Sequence, residues 1–335
     1  MMNPTMKRTL RIAGFALLLV LRFCLSAQAT DAASYKRADL TNTTEELRAE
    51  IGGTCFWTDN DYTGISESGS LILYSCPNNT ATGDIVFDAS TLGEGYRIRE
   101  RIVTNGSKVY FTVGNWKKVI VYSCNADGSK LKKIKTLKPG EGEESVNYEV
   151  VSVYNGRLYL EKEGEHDPAN DTLRSINLET GKISTHLKNC DVQWSSGSGR
   201  YIYYKKHNGG GPDDTTLRAY DCKTKKTSAL TTTLGAGIIG TYDGKTYYYK
   251  KVESKDGYGT DLKVYRCTLS GKEDKLVFTL ENGSYSFRDG CKIYCTASGE
   301  WLRVCYYNLK TKDWIDIYQE DLIEANNNRV KAGAN

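Results

Sequence analysis

Residues 102–137, IVTNGSKVYFTVGNWKKVIVYSCNADGSKLKKIKTL, constrain this chain more than any other stretch, because most of the chain beyond them repeats them in degraded form. An apolar run ends at Val103, Asn105-Gly106 turns the chain, and residues 109–113 extend again. Residues 119–122 make a third run, Asp127-Gly128 a second turn, and residues 131–137 a fourth run. Asn-Gly and Asp-Gly between extended runs signal hairpins, because a two-residue turn needs positive φ and these residues adopt it at least cost. Four antiparallel strands therefore fit into about 36 to 45 residues.

The first turn recurs at Asn155-Gly156, Ser198-Gly199, Asp243-Gly244 and Asp289-Gly290, each followed by an aromatic cluster such as residues 201–204 or 247–249. The third strand recurs with anchors Tyr74, Tyr122, Ile176, Tyr220, Tyr265 and Tyr307, spaced 42 to 54 residues apart. A strand-rich repeat of this period selects a β-propeller over helical arrays. The expected fold is all-β, a six-bladed β-propeller of four-stranded antiparallel blades over residues 51–318. Consecutive apolar residues at 109–113 and 119–122 imply burial on both faces, which stacked blades provide. The 24 tyrosines then serve mainly as blade-to-blade packing, with hydroxyls reaching a polar rim.

The ends read differently. Lys7, Arg8 and Arg11 precede an apolar run, and Ala27-Gln28-Ala29 offers small residues for cleavage, so residues 1–29 read as a secretory signal peptide. Arg22 interrupts the run, which leaves an uncleaved anchor as the alternative, although the run is short for a membrane span. Residues 30–50 read as a polar lead-in with a short helix over 45–50 capped by Thr43 or Thr44, and as the likelier contributor of a strand closing the propeller; residues 319–335 read as a polar tail. Four basic residues leave with the leader and no acidic one does, so 45 basic residues fall to 41, against 41 acidic. That balance argues against a nucleic-acid partner, and no membrane span is expected after signal removal.

In the first blade, Cys55-Phe56-Trp57-Thr58-Asp59 followed by a Leu-Tyr strand resembles the Tyr-Trp-Thr-Asp propellers of low-density lipoprotein receptors. The chain is similar, more closely, to bacterial secreted propellers of unknown function. The resemblance covers about residues 51–318, with looser counterparts at 110–113, 159–162 and 294–297. It implies six blades and a binding role, and brings no catalytic residues.

Nine cysteines remain beyond the leader. Cys76, Cys124, Cys222 and Cys267 occupy one equivalent place, which Leu178 and Leu309 take in other repeats, so that place wants a compact apolar side chain. If a three-residue loop joins the strands of the last blade, Cys291 and Cys305 fall opposite one another and are the pair expected to bridge. No GxSxG elbow, HExxH pair or zinc-type cysteine spacing occurs, and neither a metal nor a cofactor is expected.

Function is therefore expected on loops. The second-to-third-strand loops and interblade connections share one face, and here they carry Asp61, Trp116, His166, Asp167, His207, Asp213, Asp214 and Tyr258. An indole, imidazoles and carboxylates suit a glycan or a peptide on a protein partner. The expectation is a secreted or surface binding module, monomeric. The alternative is a carbohydrate-active enzyme, a glycoside hydrolase or polysaccharide lyase, with acids on strand ends facing the propeller axis. A third class is adhesion without a small ligand.

Overall fold

The structure is a computed structural model that describes residues 48–51, 53–58, 71–77, 84–99, 101–141, 143–164, 170–209, 214–255, 257, 259–298 and 303–316. The segment read as a signal peptide, the other residues before Arg48 and the segment read as a C-terminal tail lie outside the described residues. The chain is a six-bladed β-propeller built of six antiparallel sheets. The one helical element lying wholly within the described residues is a 3-10 turn at Ala89–Leu92.

Sheet one holds β1 (Arg48–Ile51), β2 (Thr54–Thr58), β3 (Ile72–Pro77) and β4 (Asp84–Asp88). Sheet two holds β5 (Arg97–Ile98), β6 (Val103–Thr104), β7 (Lys108–Asn115), β8 (Lys118–Asn125) and β9 (Lys132–Leu137). Sheet three follows with β10 (Asn147–Tyr154), β11 (Arg157–Glu163), β12 (Thr172–Asn177) and β13 (Ile183–Lys188). Sheet four holds β14 (Cys190–Ser195), β15 (Tyr201–His207), β16 (Thr215–Asp221) and β17 (Lys226–Ala229). Sheet five holds β18 (Gly237–Tyr242), β19 (Lys245–Glu253), β20 (Thr260–Thr268) and β21 (Lys275–Leu280). Sheet six holds β22 (Gly283–Asp289), β23 (Lys292–Ala297), β24 (Arg303–Asn308) and β25 (Trp314–Asp316). Residues 36–283 form one compact unit, and sheet six from Ser284 onward belongs to a second.

Every sheet uses strands consecutive in sequence, so no described sheet draws strands from both termini. Residues 48–51 are a strand where a helix was expected. Ile51 pairs with Thr54 across a two-residue link in which Gly53 takes φ +90°, giving β1 the ladder of β2. A six-residue helix standing alone is marginal in water, so the hairpin wins. Asn155-Gly156 and Asp243-Gly244 both take positive φ, as the two-residue turn demands, whereas at Asn105-Gly106 and Asp127-Gly128 only the glycine does.

In the 36–283 unit, the first strand of each sheet lies against its neighbours: β6 touches β1 and β10, and β14 touches β10 and β18. The faces between sheets are filled by aromatic wedges. Phe87 of β4 meets Phe111 of β7 and Tyr122 of β8 with ring centroids 5.6 and 4.9 Å away. Between sheets three and four, Tyr159 and Tyr220 flank His186, whose ring bonds Ser175 Oγ at 2.8 Å and Tyr220 Oη at 3.0 Å. Between sheets four and five, the Tyr203 hydroxyl reaches Thr246 Oγ1 at 2.7 Å and the Leu269 carbonyl at 3.1 Å. Each such buried side chain contributes roughly 2 kcal/mol in removed apolar surface. Cys124, Cys222 and Cys267 are buried thiols within these clusters, the compact apolar role their repeat position requires; the Cys76 side chain lies outside the described residues. Outer strands carry Lys132, Lys133, Lys135, Lys188, Lys226 and Lys275, charges that discourage edge-to-edge pairing.

Sheet four is also stapled at its turn. Arg200 Nε and Nη2 donate to Asp221 Oδ1 and Oδ2 at 2.9 and 2.8 Å. That bidentate pairing holds the Asp221 carboxyl down to about 2. A depressed acid stabilises the fold above its unfolded pKa, ordinarily near 4, and the benefit is lost as pH falls through about 2. Asp221→Asn is expected to cost about 1 kcal/mol at pH 7, discounted for partial exposure. Urea midpoints of the two proteins should converge as pH drops from 4 toward 2; a gap that stays constant would contradict the ion pair's role.

Candidate functional site

The first strands do not run straight. β10, β14 and β18 each carry a bulge, between Val150 and Ser152, Val192 and Trp194, and Ile238 and Gly240. In sheet two the irregularity is wider: Ile98 pairs with Val113 and Val103 with Tyr110, so four residues span what two span on β7. Bulges re-aim side chains. This one projects Arg101.

Arg101 gathers three sheets. Its Nη1 donates to Glu161 Oε2 at 2.7 Å, its Nη2 donates to the Val192 carbonyl at 2.7 Å, and its Nε lies 3.2 Å from Glu149 Oε2. Glu161 Oε1 in turn accepts from the Val192 amide at 2.6 Å. Glu149 and Glu161 face one another across β10 and β11. One guanidinium of sheet two and one carboxylate of sheet three therefore hold both polar groups of a single residue in sheet four. Burial pushes the Glu161 carboxyl upward, against the pull of Arg101 and the Val192 amide. Burial alone would lower the Arg101 guanidinium, yet Glu161 and Glu149 hold it above its ordinary value.

Chemically this is a clasp. Glu161 is 3% exposed and both its oxygens are engaged, so it meets no substrate in this state. Beside it, Asn147 Nδ2 donates to Glu163 Oε2 at 2.5 Å, Lys162 pairs with Glu143, and Arg174 Nη1 donates to the Tyr148 hydroxyl at 2.9 Å. Glu143, Glu149 and Glu161 are thus each paired with a cation.

Trp116 stands apart. Its side chain is 62% exposed, with Lys117 Nζ 4.5 Å over the ring, and its carbonyl accepts from the Val146 amide at 3.1 Å. It sits in a two-residue turn between β7 and β8, not in the long loop expected there, because Asn115 pairs directly with Lys118. Antiparallel topology puts this turn at the same end of the sheets as the connection between β17 and β18, where Leu234 is 54% exposed.

His207 closes β15, its amide donating to the Asn189 carbonyl at 3.2 Å. The ring is half-buried and Nε2 has no hydrogen-bond partner among the described residues. The next residue, Asn208, joins Asp214 through its amide to the Asp214 carbonyl at 3.0 Å and through Nδ2 to Oδ1 at 3.1 Å. His207 and Asp214 thus flank one loop. Asp61, His166, Asp167, Asp213 and Tyr258 lie outside the described residues.

Nucleophiles are poorly placed. Burial raises the thiols of Cys124, Cys190, Cys222, Cys267 and Cys295. Ser175, though bonded to His186, is fully buried. Among the described residues, no group of three or more His, Cys, Asp and Glu is arranged to hold a metal. The Arg101–Glu161 contact joins positions 60 residues apart and carried no local signal.

No protein-family model matches the chain, and no curated protein matches it. Solved structures do. One is from work on two prolyl endopeptidases and the role of inter-domain dynamics in their catalysis and specificity: TM-score 0.56, 16% identity, covering 92% of this chain and 47% of that one. An oligogalacturonate lyase in complex with manganese gives 0.51 at 11% identity, covering 75% of this chain and 71% of that one. Dipeptidyl peptidase 4 of Porphyromonas gingivalis gives 0.51 at 8% identity, covering 83% and 46%. The chain spans about half the length of these two peptidase structures. At such identities the likeness is one of fold.

Removing one partner of a buried ion pair leaves the other unpaired. Arg101→Met is expected to cost about 3 kcal/mol, and adding Glu161→Gln should restore part of it. Denaturant midpoints of the single and double variants check this; additive losses would contradict the coupling.

Proposed function

We propose that the chain is an exported binding module whose ligand, a glycan or a peptide of a partner protein, docks on the blade end that carries Trp116. The observation behind this reading is that Trp116, 62% exposed, is anchored by its backbone to Val146 rather than free on a long loop. A rigid exposed indole gives stacking area at little entropic cost. Leu234, His207 and Asp214 add apolar and polar groups at the same end of their sheets. The leader-like residues 1–29 support export, and the chain recovered after export should begin at Thr30.

A second reading, a carbohydrate-active enzyme, draws on the opposed carboxylates Glu149 and Glu161 with Asp191 nearby. Both glutamates are committed to Arg101, which favours binding over cleavage. The oligogalacturonate lyase likeness adds fold and no activity.

Probing a glycan array and a peptide library with the mature chain identifies the ligand. Trp116→Ala should leave stability within about 0.5 kcal/mol and weaken binding at least roughly tenfold. Undiminished binding would place the site elsewhere, and release of reducing sugar or unsaturated product, lost in Glu149→Gln, would favour the enzyme.

A further inference from the structure

Sheet six sets two thiols against each other. β23 and β24 place Cys295 directly opposite Cys305, between the pairs Tyr294 with Tyr306 and Thr296 with Val304. Cys291 lies before β23, its carbonyl accepting from the Leu309 amide at 2.7 Å. The register differs from the one that opposed Cys291 to Cys305, because the link between the strands, residues 298–302, is centred two residues later than that register requires.

Directly opposed residues of an antiparallel pair project to the same face, with α-carbons about 4.5 to 5.5 Å apart. That spacing falls within the roughly 4.4 to 6.8 Å range a disulfide takes. Cys295 and Cys305 are both fully buried, and Cys305 Sγ lies 3.8 Å from the Cys295 carbonyl oxygen. Elsewhere Cys124 faces Val109, Cys190 faces Lys206 and Cys267 faces Thr246. One further sheet repeats the arrangement, since the backbone register of sheet one sets Cys55 opposite Cys76.

We propose that Cys295 and Cys305 are a redox modification site, closing a cross-strand disulfide as sheet six forms in an oxidising compartment. The oxidant is a disulfide, of a small thiol such as glutathione or of a protein. One cysteine thiolate attacks it, forming a mixed disulfide and expelling one thiolate. The second cysteine then attacks the cysteine sulfur of that mixed disulfide and expels the other half. The two cysteines lose two protons and two electrons, and the oxidant is reduced to two thiols.

Timing follows from burial. In the folded sheet, burial raises the Cys295 thiol and pushes Cys305 up to about 11, so little thiolate exists at neutral pH. The bond belongs to the period before the sheet is sealed. A folded, reduced chain resists oxidation.

Peptide mapping tests this. The chain is recovered from an oxidising export compartment, or refolded with reduced and oxidised glutathione, then alkylated in denaturant without reductant and digested with trypsin. Cleavage after Arg288, Lys292, Arg303 and Lys310 separates Cys291 in residues 289–292, Cys295 in 293–303 and Cys305 in 304–310. The expected product links 293–303 to 304–310, lost on reduction and absent from Cys305→Ser. Both peptides alkylated as monomers, or 304–310 joined to 289–292, would overturn the proposal. Folded reduced chain should acquire the link at least tenfold more slowly than refolding chain; equal rates would overturn the timing.

Discussion

A four-stranded sheet that is apolar on both faces cannot bury itself, and every other feature here follows from that constraint. Val109, Phe111 and Val113 lie on β7, and Tyr110 and Thr112 between them are buried as well, so both faces of sheet two need a neighbour. Phe87 supplies one from sheet one, while Val146, Tyr148 and Val150 supply another from sheet three. Stability in this architecture is a property of interfaces between sheets, and several polar side chains enter those interfaces bonded to partners on another sheet. Tyr203, His186 and Arg101 are the clearest instances, each bonded across to a neighbouring sheet.

That same constraint separates structure from chemistry. Side chains of reactive type are consumed by packing: His186, bonded to Ser175 in its own sheet, reaches Tyr220 of sheet four, and Glu149 and Glu161 pair with Arg101. A raised carboxyl such as Glu161 is a frequent mark of a working site, but here it accepts from two donors and is sealed from solvent. Trp116, by contrast, keeps its side chain largely exposed in the turn between β7 and β8, where its carbonyl accepts from the Val146 amide and Lys117 lies over its ring.

Much of the fold was legible because its signals are local. Asn155-Gly156 and Asp243-Gly244 announce hairpins by residue type alone, and the Leu-Tyr anchors fix the spacing of the third strands. β1 stands where a helix over 45–50 was expected, because residues 48–51 are few and carry no clear alternation, and become a strand only by pairing with β2. The site was less legible. Arg101 meets Glu161 and Val192 through a bulge whose size depends on neighbouring sheets, and the Cys305 partner depends on the exact length of a loop. Trp116 lies between the second and third strands as expected, although in a tight turn where a long loop was expected.

Native-state hydrogen exchange at Val192 tests most directly whether interfaces between sheets carry the stability. Its amide is bonded to a buried carboxylate of another sheet. It should exchange with the slowest class, at the free energy of global unfolding. Exchange as fast as that of the Trp116-Lys117 turn would mean that the sheets open independently, and would contradict the account.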